Sequence, residues 1–143
     1  GMKVPVRRFD AELPLPEYKT PGAAAMDCLV RADIDISQKS VALVPLNVAL
    51  KPPKGHFVLL AARSSLHKRG LMMANGIGIG DEDFSGDNDE YQAALYNFTD
   101  ASVQLKKGDR VVQMIILPFD RVEWSEVDSL GGPDRSGFGT TGI

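Results

Sequence analysis

The sequence predicts an all-β fold, a jelly-roll-like barrel or sandwich with at most one short helix. Apolar runs of strand length recur at a spacing of roughly 8–12 residues, which is typical of sandwiches and barrels. Nine prolines and 14 glycines punctuate these runs, and both residue types interrupt regular structure. A chain of 143 residues without internal repeats suits one domain. We expect that domain at 2–130, followed by a flexible Gly-rich arm at 131–143.

The N-terminal part of the chain is predicted to be extended. Residues 2–9 alternate in a strand pattern around Pro5, and a proline there favours an edge strand. Three prolines within 12–21 exclude a regular helix. The run 23–30 has the length of a strand, and we interpret it as one. Asp27 within that apolar run must be solvated, paired or functional.

The rest of the domain is predicted to alternate between strands and turns. The compact polar segment 63–69 predicts one short helical turn with a serine near its start. Glycines at alternate positions predict a hairpin over 72–80, and Lys-Lys-Gly-Asp at 106–109 predicts a hairpin-type turn. Further strands are expected at 34–36, 41–50 with an interruption at Pro45, 56–61, 91–98, 111–117 and 122–124.

Charge and composition exclude several classes of function. The formal net charge is −3, and non-specific binding to DNA or anionic membranes needs clustered lysines and arginines. No apolar run reaches the roughly 18 residues of a membrane span, and the N-terminus lacks the apolar core of a signal peptide. We therefore expect a cytoplasmic protein with no nucleic-acid or membrane partner. Gly1 is interpreted as a residue left by tag removal, and the single cysteine, Cys28, as a small buried apolar residue.

Candidate chemistry is concentrated in the segment 62–86, which reads ARSSLHKRGLMMANGIGIGDEDFSG. Arg63 offers a planar fork that suits phosphate oxygens, and Ser64 and Ser65 add hydroxyl groups. An N-capping serine beside a solvated arginine would explain the same triplet without a ligand.

The middle and the end of this segment suggest two further contacts. Glycines alternating from Asn75 to Ile79 leave main-chain groups bare, so a flat ligand can be bound by the backbone; a twisted Gly-rich hairpin is the alternative. In an extended chain, Asp81 and Asp83 share a face and Glu82 opposes them. Two acids on one face suggest water activation or metal contact, whereas an acidic turn needs neither.

The C-terminal sequence RSGFGTTG is typical of a lid. Phe138 between two glycines places an aromatic ring on a flexible arm, where it can cover a base. Arg135, Thr140 and Thr141 supply a guanidinium group and hydroxyls for phosphates. A disordered tail is the alternative interpretation.

Together these segments resemble the trimeric dUTPases, the dUTP nucleotidohydrolases. The five ordered motifs of that family are matched by PGAAAMDCL, ARSSLHKRG, NGIGIGDEDFSG, GDRVVQMI and RSGFGTTG, between residues 21 and 142. The resemblance implies an all-β jelly roll that forms a homotrimer, with active sites at subunit interfaces and a C-terminal arm closing a site on another subunit. It also implies Mg²⁺-dependent hydrolysis of dUTP to dUMP and pyrophosphate by water attack on the α-phosphorus.

The resemblance assigns roles to individual residues. Asp81 matches the catalytic acid that activates the attacking water, and Asp27 matches an acid linked to Mg²⁺ through water. Phe84 stands where the family usually has a tyrosine against the deoxyribose. The other residues that match substrate contacts are Arg63, Ser64, Ser65, Asn75, Gly78, Ile79, Gly80, Gln113, Arg135, Phe138, Gly139, Thr140 and Thr141.

The chain departs from the family pattern in places, and two other functions remain open. Gly80 replaces a bulky aliphatic residue before the catalytic acid, which predicts a looser backbone beside Asp81. A dCTP deaminase-like enzyme of the same fold would need Glu82 or Glu90 as its acid–base group. A non-catalytic nucleotide-sensing protein would need no such group.

Overall fold

The computed structural model describes residues 1–139, which are built almost entirely of antiparallel β-strands. The strands are β1 (Val6–Arg8), β2 (Met26–Leu29), β3 (Ile34–Ile36), β4 (Val41–Pro45), β5 (Val48–Leu50), β6 (His56–Ala62), β7 (Leu71–Met73), β8 (Gly78–Gly80), β9 (Gln92–Asn97), β10 (Val103–Leu105) and β11 (Arg110–Pro118). One four-residue 3-10 helix, Leu66–Arg69, follows β6 in this part of the chain. The all-β prediction with one short helical turn is confirmed.

Four sheets organise these strands. The largest has the strand order β2-β11-β6-β8, and the second has the order β4-β9-β7. β1 pairs with β5, and β3 pairs with β10, in two smaller sheets. Because β1 has β5 as its one partner strand in the described chain, the prediction of an N-terminal edge strand is confirmed.

A period of two along β6 and β11 separates a core face from a half-buried face. Val58 and Leu60 of β6 share the core face with Val112 and Met114 of β11, and all four are buried. The residues between them point the other way and are half-buried. Gln113, the one polar residue inside the apolar strand β11, therefore lies outside the core.

The β4-β9-β7 sheet contributes to the same hydrophobic core. Val44, Leu71 and Leu95 belong to one buried cluster with the core residues of the largest sheet. Asn97 is also buried there, and its side chain donates to the carbonyl oxygens of Ile36 at 2.9 Å and of Ala101 at 2.8 Å. Burying this amide is tolerated because its hydrogen-bonding groups are paired.

Two sequence predictions of local structure are wrong. Residues 72–80 do not form a hairpin ladder, because β7 pairs with β9 whereas β8 pairs with β6. The turn around Asn75 therefore carries the chain from one sheet to another. The predicted strand 122–124 is absent from the described chain, and residues 120–136 are exposed. Without a partner strand, their main-chain groups have no ladder to join.

Two other predictions hold. Lys106–Asp109 forms a tight turn, in which the N–H of Asp109 donates to the carbonyl of Lys106 at 2.9 Å, although the strands on either side belong to different sheets. Cys28 is fully buried, and burial raises the pKa of its thiol to about 12. The thiol is therefore a core group. No helix in residues 1–139 is long and apolar enough to cross a membrane.

Candidate active site

Four of the predicted phosphate contacts, Arg63, Ser64, Ser65 and Gln113, lie with Asp27 at one end of the largest sheet. Asp27 of β2 lies opposite Gln113 of β11, which lies opposite Ala61 of β6. Residues opposite each other in neighbouring strands point to the same face, so Asp27 and Gln113 project side by side. Nε2 of Gln113 donates to the carbonyl of Ala62 at 3.0 Å, which holds its amide next to the chain that leads to Arg63.

Two contacts hold Arg63 in place directly after β6. Its Nε lies 3.2 Å from Oδ1 of Asp27, and its Nη1 donates to the carbonyl of Arg110 at 2.9 Å. The side chain of Arg63 is 37% exposed, whereas that of Asp27 is 12% exposed. Asp27 is therefore a paired acid that orients the guanidinium group while part of that group stays accessible to an anion.

Ser64 and Ser65 extend this cationic site. Both residues are exposed. Ser65 stands at the N-cap position of the 3-10 helix, but its side chain makes no capping hydrogen bond. The interpretation of the triplet as a capping serine is therefore wrong, and the hydroxyl is not committed to the helix.

β8 offers a main-chain edge of the kind predicted for base recognition. Within the described chain it is the edge strand of the largest sheet, paired on one side with β6. In an antiparallel pair, alternate residues direct their N–H and C=O groups away from the partner strand. Asn75, Ile77 and Ile79 are exposed along this segment. The free edge can therefore hydrogen-bond to the edge of a planar base.

Close packing explains the two glycines of β8. A Cβ atom at position 78 would lie 3.1 Å from the Cβ of Leu60. A Cβ atom at position 80 would overlap the hydroxyl oxygen of Tyr91 and would lie 2.5 Å from its Cε1 and 2.7 Å from its Cζ. Glycine is needed at position 80 because the aromatic ring occupies the space of a side chain.

Gly80 does not loosen the backbone beside Asp81, so that expectation is wrong. Gly80 is buried and pairs with Val58 in the β6–β8 ladder. Its φ lies outside the left-handed region. The backbone before Asp81 is therefore confined by a strand on one side and by the ring of Tyr91 on the core side.

Asp81 opens a turn directly after β8. The N–H of Phe84 donates to the carbonyl of Asp81 at 3.1 Å, so the three acids lie on a turn and the assumption of an extended chain is wrong. Oε2 of Glu82 accepts a hydrogen bond from the N–H of Gly55 at 2.9 Å. Asp81 and Asp83 stay exposed, while Glu82 anchors the turn to the loop before β6.

Phe84 and Tyr91 form an aromatic pair under this turn. Their ring centroids lie 5.2 Å apart with an interplanar angle of 87°, an edge-to-face geometry that stabilises aromatic pairs. Phe84 is 37% exposed and Tyr91 is 3% exposed. Burial, and then the charges of Asp81 and Asp89, raise the pKa of Tyr91 to about 12. Its hydroxyl has no hydrogen-bond partner within residues 1–139.

Sequence reasoning missed the role of Tyr91. It identified this residue as no more than the start of a strand. The available signal was Gly80, because a glycine inside a strand often marks a close approach by another group. The identity of that group depends on packing between β8 and the start of β9, which the sequence pattern does not reveal.

The acid and the cationic site lie at opposite ends of β6. Gly80 pairs with Val58, so Asp81 continues toward the start of β6, whereas Arg63 follows its end. The five residue steps from Val58, the partner of Gly80, to Arg63 correspond to about 16 Å of extended strand. Within one protomer, the guanidinium group of Arg63 and the exposed acid therefore face different regions of the surface.

Residues of the C-terminal arm are only partly described. Arg135 and Gly139 are exposed, and the ring of Phe138 is fully exposed. Thr140 and Thr141 lie outside the described residues. The boundary predicted at residue 130 stays a prediction, although the last strand ends at Pro118.

The described residues fit a metal ion that is carried by a phosphate ligand. Within residues 1–139, no group of three His, Cys, Asp or Glu side chains is placed to hold a metal. Mg²⁺ usually keeps several waters and binds through one or two carboxylates and the substrate phosphates. A single carboxylate such as Asp27, 12% exposed and beside the guanidinium group of Arg63, suits that mode of binding.

Glu90 is committed to a structural ion pair. Its two carboxylate oxygens accept from Nε and Nη2 of Arg31 at 2.8 and 3.1 Å, and Oε2 also accepts from the N–H of Asn47 at 2.9 Å. Its side chain is 9% exposed. Glu82 is likewise engaged with Gly55. Neither of the two acids that a deaminase would need is free in the described structure.

Comparison with known proteins finds similarity to one family. A family model described as dUTPase matches residues 11–142. The chain is 32% identical to the deoxyuridine 5'-triphosphate nucleotidohydrolase of Dictyoglomus turgidum, with 99% of each chain covered. It is 37% identical to that of Anaplasma marginale, over 91% of this chain and 90% of the relative.

Solved structures show the same fold. The dUTPase from Streptococcus mutans gives a TM-score of 0.75 at 31% identity, covering 83% of this chain and 98% of that one. A Staphylococcus bacteriophage 80alpha dUTPase, solved with dUPNHPP, gives 0.85 at 19% identity over 99% of each chain, which supports the fold alone. From the family match over most of its length and from these relatives, the chain belongs to the dUTPase family.

Proposed function

We propose that this protein hydrolyses dUTP to dUMP and pyrophosphate, with water attacking the α-phosphorus. Membership of the dUTPase family supports the substrate and the reaction. The observation that carries the proposal is the position of Asp81, exposed at the end of the edge strand β8 on a turn that Glu82 anchors. A carboxylate held in this way is suited to orient a water molecule against a nucleotide bound along β8.

In the proposed mechanism, Asp81 accepts a proton from the attacking water. The water oxygen forms a bond to the α-phosphorus while the bond from that phosphorus to the bridging oxygen of the β-phosphate breaks. dUMP keeps the new oxygen, and pyrophosphate leaves with the bridging oxygen. Asp81 then releases its proton to solvent and returns to the carboxylate form.

Base and sugar are read by the segment around β8. Asn75 and the main chain of Gly78, Ile79 and Gly80 hydrogen-bond to uracil, because the outer edge of this strand is free. The ring of Phe84 forms the wall beside the deoxyribose and leaves no room for a 2′-hydroxyl. Phe138 and Gly139 of the arm cover the uracil. The full exposure of the Phe138 ring supports this role.

The phosphates bind to the cationic end of the largest sheet and to the arm. Arg63, Ser64, Ser65 and Gln113 contact them there, since the guanidinium group and both serines are accessible. Arg135, Thr140 and Thr141 add contacts to the outer phosphates. Mg²⁺ carried by the triphosphate would supply charge neutralisation on the leaving group, and Asp27 would hold it through water. A phage phi11 dUTPase is described with a structural Mg(II) ion.

The active sites form between subunits of a homotrimer, which we place in the cytoplasm. The separation of Asp81 from Arg63 along β6 supports this assembly, because Val58, the partner of Gly80, is already about 16 Å from Arg63 along the strand and Asp81 lies beyond Gly80. A second subunit brings the Asp81 end of its β8 to the Arg63 end of the first. The arm of another subunit closes the site.

A substrate survey tests the proposed function. The protein is incubated with dUTP, dCTP, dTTP or UTP, with Mg²⁺ or with EDTA, and both pyrophosphate and ammonia are followed. We expect pyrophosphate from dUTP with Mg²⁺, and little turnover in the other samples. Ammonia from dCTP would instead support a deaminase, and no product in any sample would support a nucleotide-sensing protein.

A further inference from the structure

We propose that Tyr91 is a positioning residue for Asp81 and Phe84, and that Gly80 and Tyr91 act as an interdependent pair. This proposal rests on the proposed dUTP hydrolysis. Gly80 has no side chain on the core face of β8, and the ring of Tyr91 fills that space. The large ring at position 91 takes the space that a side chain at position 80 would need, so the site stays packed.

Tyr91 contacts both sides of the residue that carries the chemistry. On one side its ring lies against Gly80, directly before Asp81. On the other side its ring meets that of Phe84 edge to face, with centroids 5.2 Å apart. The ring of Tyr91 therefore packs against both ends of the turn from Asp81 to Phe84.

This contact is firm because Tyr91 itself is fixed. The residue is 3% exposed, its N–H donates to the carbonyl of Val48 at 2.9 Å, and its carbonyl accepts from the N–H of Leu46 at 2.9 Å. Well-packed interiors transmit displacements between neighbouring groups. A change in the Tyr91 ring will therefore move the turn that presents Asp81 and the wall that Phe84 forms.

Two single variants break the pair in opposite ways. Gly80→Ala introduces a Cβ atom that overlaps the distal end of the Tyr91 ring. Tyr91→Leu removes that distal end and leaves a gap behind Gly80 and Phe84. We expect each variant to lower kcat for dUTP by about tenfold or more, since small misplacements of catalytic groups are costly. We also expect the ratio of kcat/KM for dUTP to kcat/KM for UTP to fall, because Phe84 loses its support.

Double variants distinguish positioning from general packing. A leucine ends before the ring atoms that an alanine at position 80 would meet, so Gly80→Ala/Tyr91→Leu relieves the overlap and fills the gap. We expect it to recover kcat and selectivity to within about threefold of the unmodified protein. Gly80→Ala/Tyr91→Phe removes the hydroxyl but keeps Cε1 and Cζ, which lie 2.5 and 2.7 Å from the added Cβ, so we expect it to recover less than the Ala/Leu double variant.

Leu105→Ala is the matched control, since Leu105 is fully buried and belongs to the β3–β10 sheet, which contains neither β8 nor β9. We expect this variant to lose thermal stability without a change in selectivity. The positioning role is overturned if Tyr91→Leu and Gly80→Ala behave like this control, or if the Ala/Leu double variant is as impaired as the worse single variant.

Unfolding measurements on the unliganded proteins separate this proposal from the proposed function. The unmodified protein, Gly80→Ala, Tyr91→Leu and their double variant form a cycle in the free energy of unfolding, in which recovery by the double variant reports the pairing without substrate. If the unmodified protein fails to hydrolyse dUTP, the proposed function and the role toward Asp81 both fall. The unfolding cycle still decides whether Gly80 and Tyr91 depend on each other.

Discussion

Asp81 combines an exposed carboxylate with a backbone that its neighbours hold on three sides. Gly80, the residue before Asp81, pairs with β6, and the ring of Tyr91 lies against Gly80 on the core side. The carboxylate of Glu82, the residue after Asp81, accepts a hydrogen bond from the N–H of Gly55. The neighbouring residues are thus occupied with structure, while the acid itself remains available. This division of roles is what a general base requires, because its geometry must be set before substrate binds.

Replacing this acid separates catalysis from binding. We expect Asp81→Asn to reduce dUTP turnover by about a thousandfold or more, because an amide does not accept the proton of the attacking water. Binding of dUTP, measured by calorimetry, should remain within a few-fold. Asp87→Asn, at an exposed acid in the following loop, is the control and should retain turnover. Normal turnover by Asp81→Asn would contradict the assignment of the base.

We expect removal of the Tyr91 hydroxyl to stabilise the protein. The hydroxyl is buried without a partner in residues 1–139, and an unpaired buried polar group costs on the order of 1–3 kcal/mol. We expect Tyr91→Phe to raise the free energy of unfolding at pH 7 by about 1 kcal/mol, measured by urea denaturation. A loss of stability would show that the hydroxyl has a partner in the assembled protein.

The same hydroxyl also predicts a pH dependence. Burial raises its pKa from 10.0 to about 12. The folded state therefore holds the proton more tightly than the unfolded state between these values, and the resulting stability is present below pH 10 and lost as the pH rises toward 12. Tyr91→Phe should flatten this alkaline loss, measured by urea denaturation between pH 9 and pH 11.

At the scale of elements, side chains join segments that the strand ladders leave separate. The carboxylate of Glu90, just before β9, accepts hydrogen bonds from the side chain of Arg31 after β2 and from the N–H of Asn47 between β4 and β5. Asn47 in turn accepts from the N–H of Asp10 at 2.7 Å. One buried carboxylate therefore connects three loops near the start of β9, where Tyr91 must be held for its contact with Gly80.

Loss of this carboxylate should therefore affect folding more than chemistry. We expect Glu90→Gln to lower the free energy of unfolding by about 2–3 kcal/mol, because a partly buried guanidinium group loses its charged partner. Glu12→Gln is the control, since Glu12 pairs with Lys107 but is 81% exposed, and exposed pairs contribute about 0–1 kcal/mol. dUTP turnover of folded Glu90→Gln at low temperature should persist; its selective loss would show that Glu90 acts in dUTP hydrolysis as well as in folding.

At the scale of the whole molecule, Asp81 and Arg63 face different regions of the protomer surface. This follows from the antiparallel pairing of β8 with β6, which sends the chain after Gly80 away from Arg63. An assembly that places Asp81 of one subunit beside Arg63 of its neighbour would bring the two groups together. Closed symmetric oligomers provide such contacts at every subunit.

Mixing two inactive variants tests that assembly. Asp81→Asn and Arg63→Ala should each be inactive alone, because every site lacks one group. When the two are unfolded together at equal amounts and refolded, a site that takes Arg63 from one subunit and Asp81 from another is complete in about a quarter of random combinations. We expect about that share of normal activity. No recovery would show that both groups act within one subunit.

Removal of the arm tests its role as a lid. We expect a variant ending at Ser136 to keep its melting temperature within a few degrees, because the last strand ends at Pro118 and the chain beyond it is largely exposed. Its kcat/KM for dUTP should fall by about a hundredfold or more. A large loss of thermal stability would identify the segment as part of the folded domain.

The sequence by itself determined the fold class, most strand positions and the candidate site residues. Short apolar runs separated by prolines and glycines predicted an all-β domain, and the five ordered motifs indicated the family. These are local or linear signals, so they survive without knowledge of packing. The turn at Lys106–Asp109 and the buried state of Cys28 were predictable for the same reason.

Only the tertiary structure decided which segments meet. The pattern around Asn75 predicts a hairpin, but long-range pairing assigns β7 and β8 to different sheets. Gly80 looked like a weakness before the acid, yet the ring of Tyr91, distant by eleven positions in sequence, occupies the space that a side chain would need. Packing between distant segments leaves no period or motif in the chain, which is why the support behind Asp81 becomes visible only after folding.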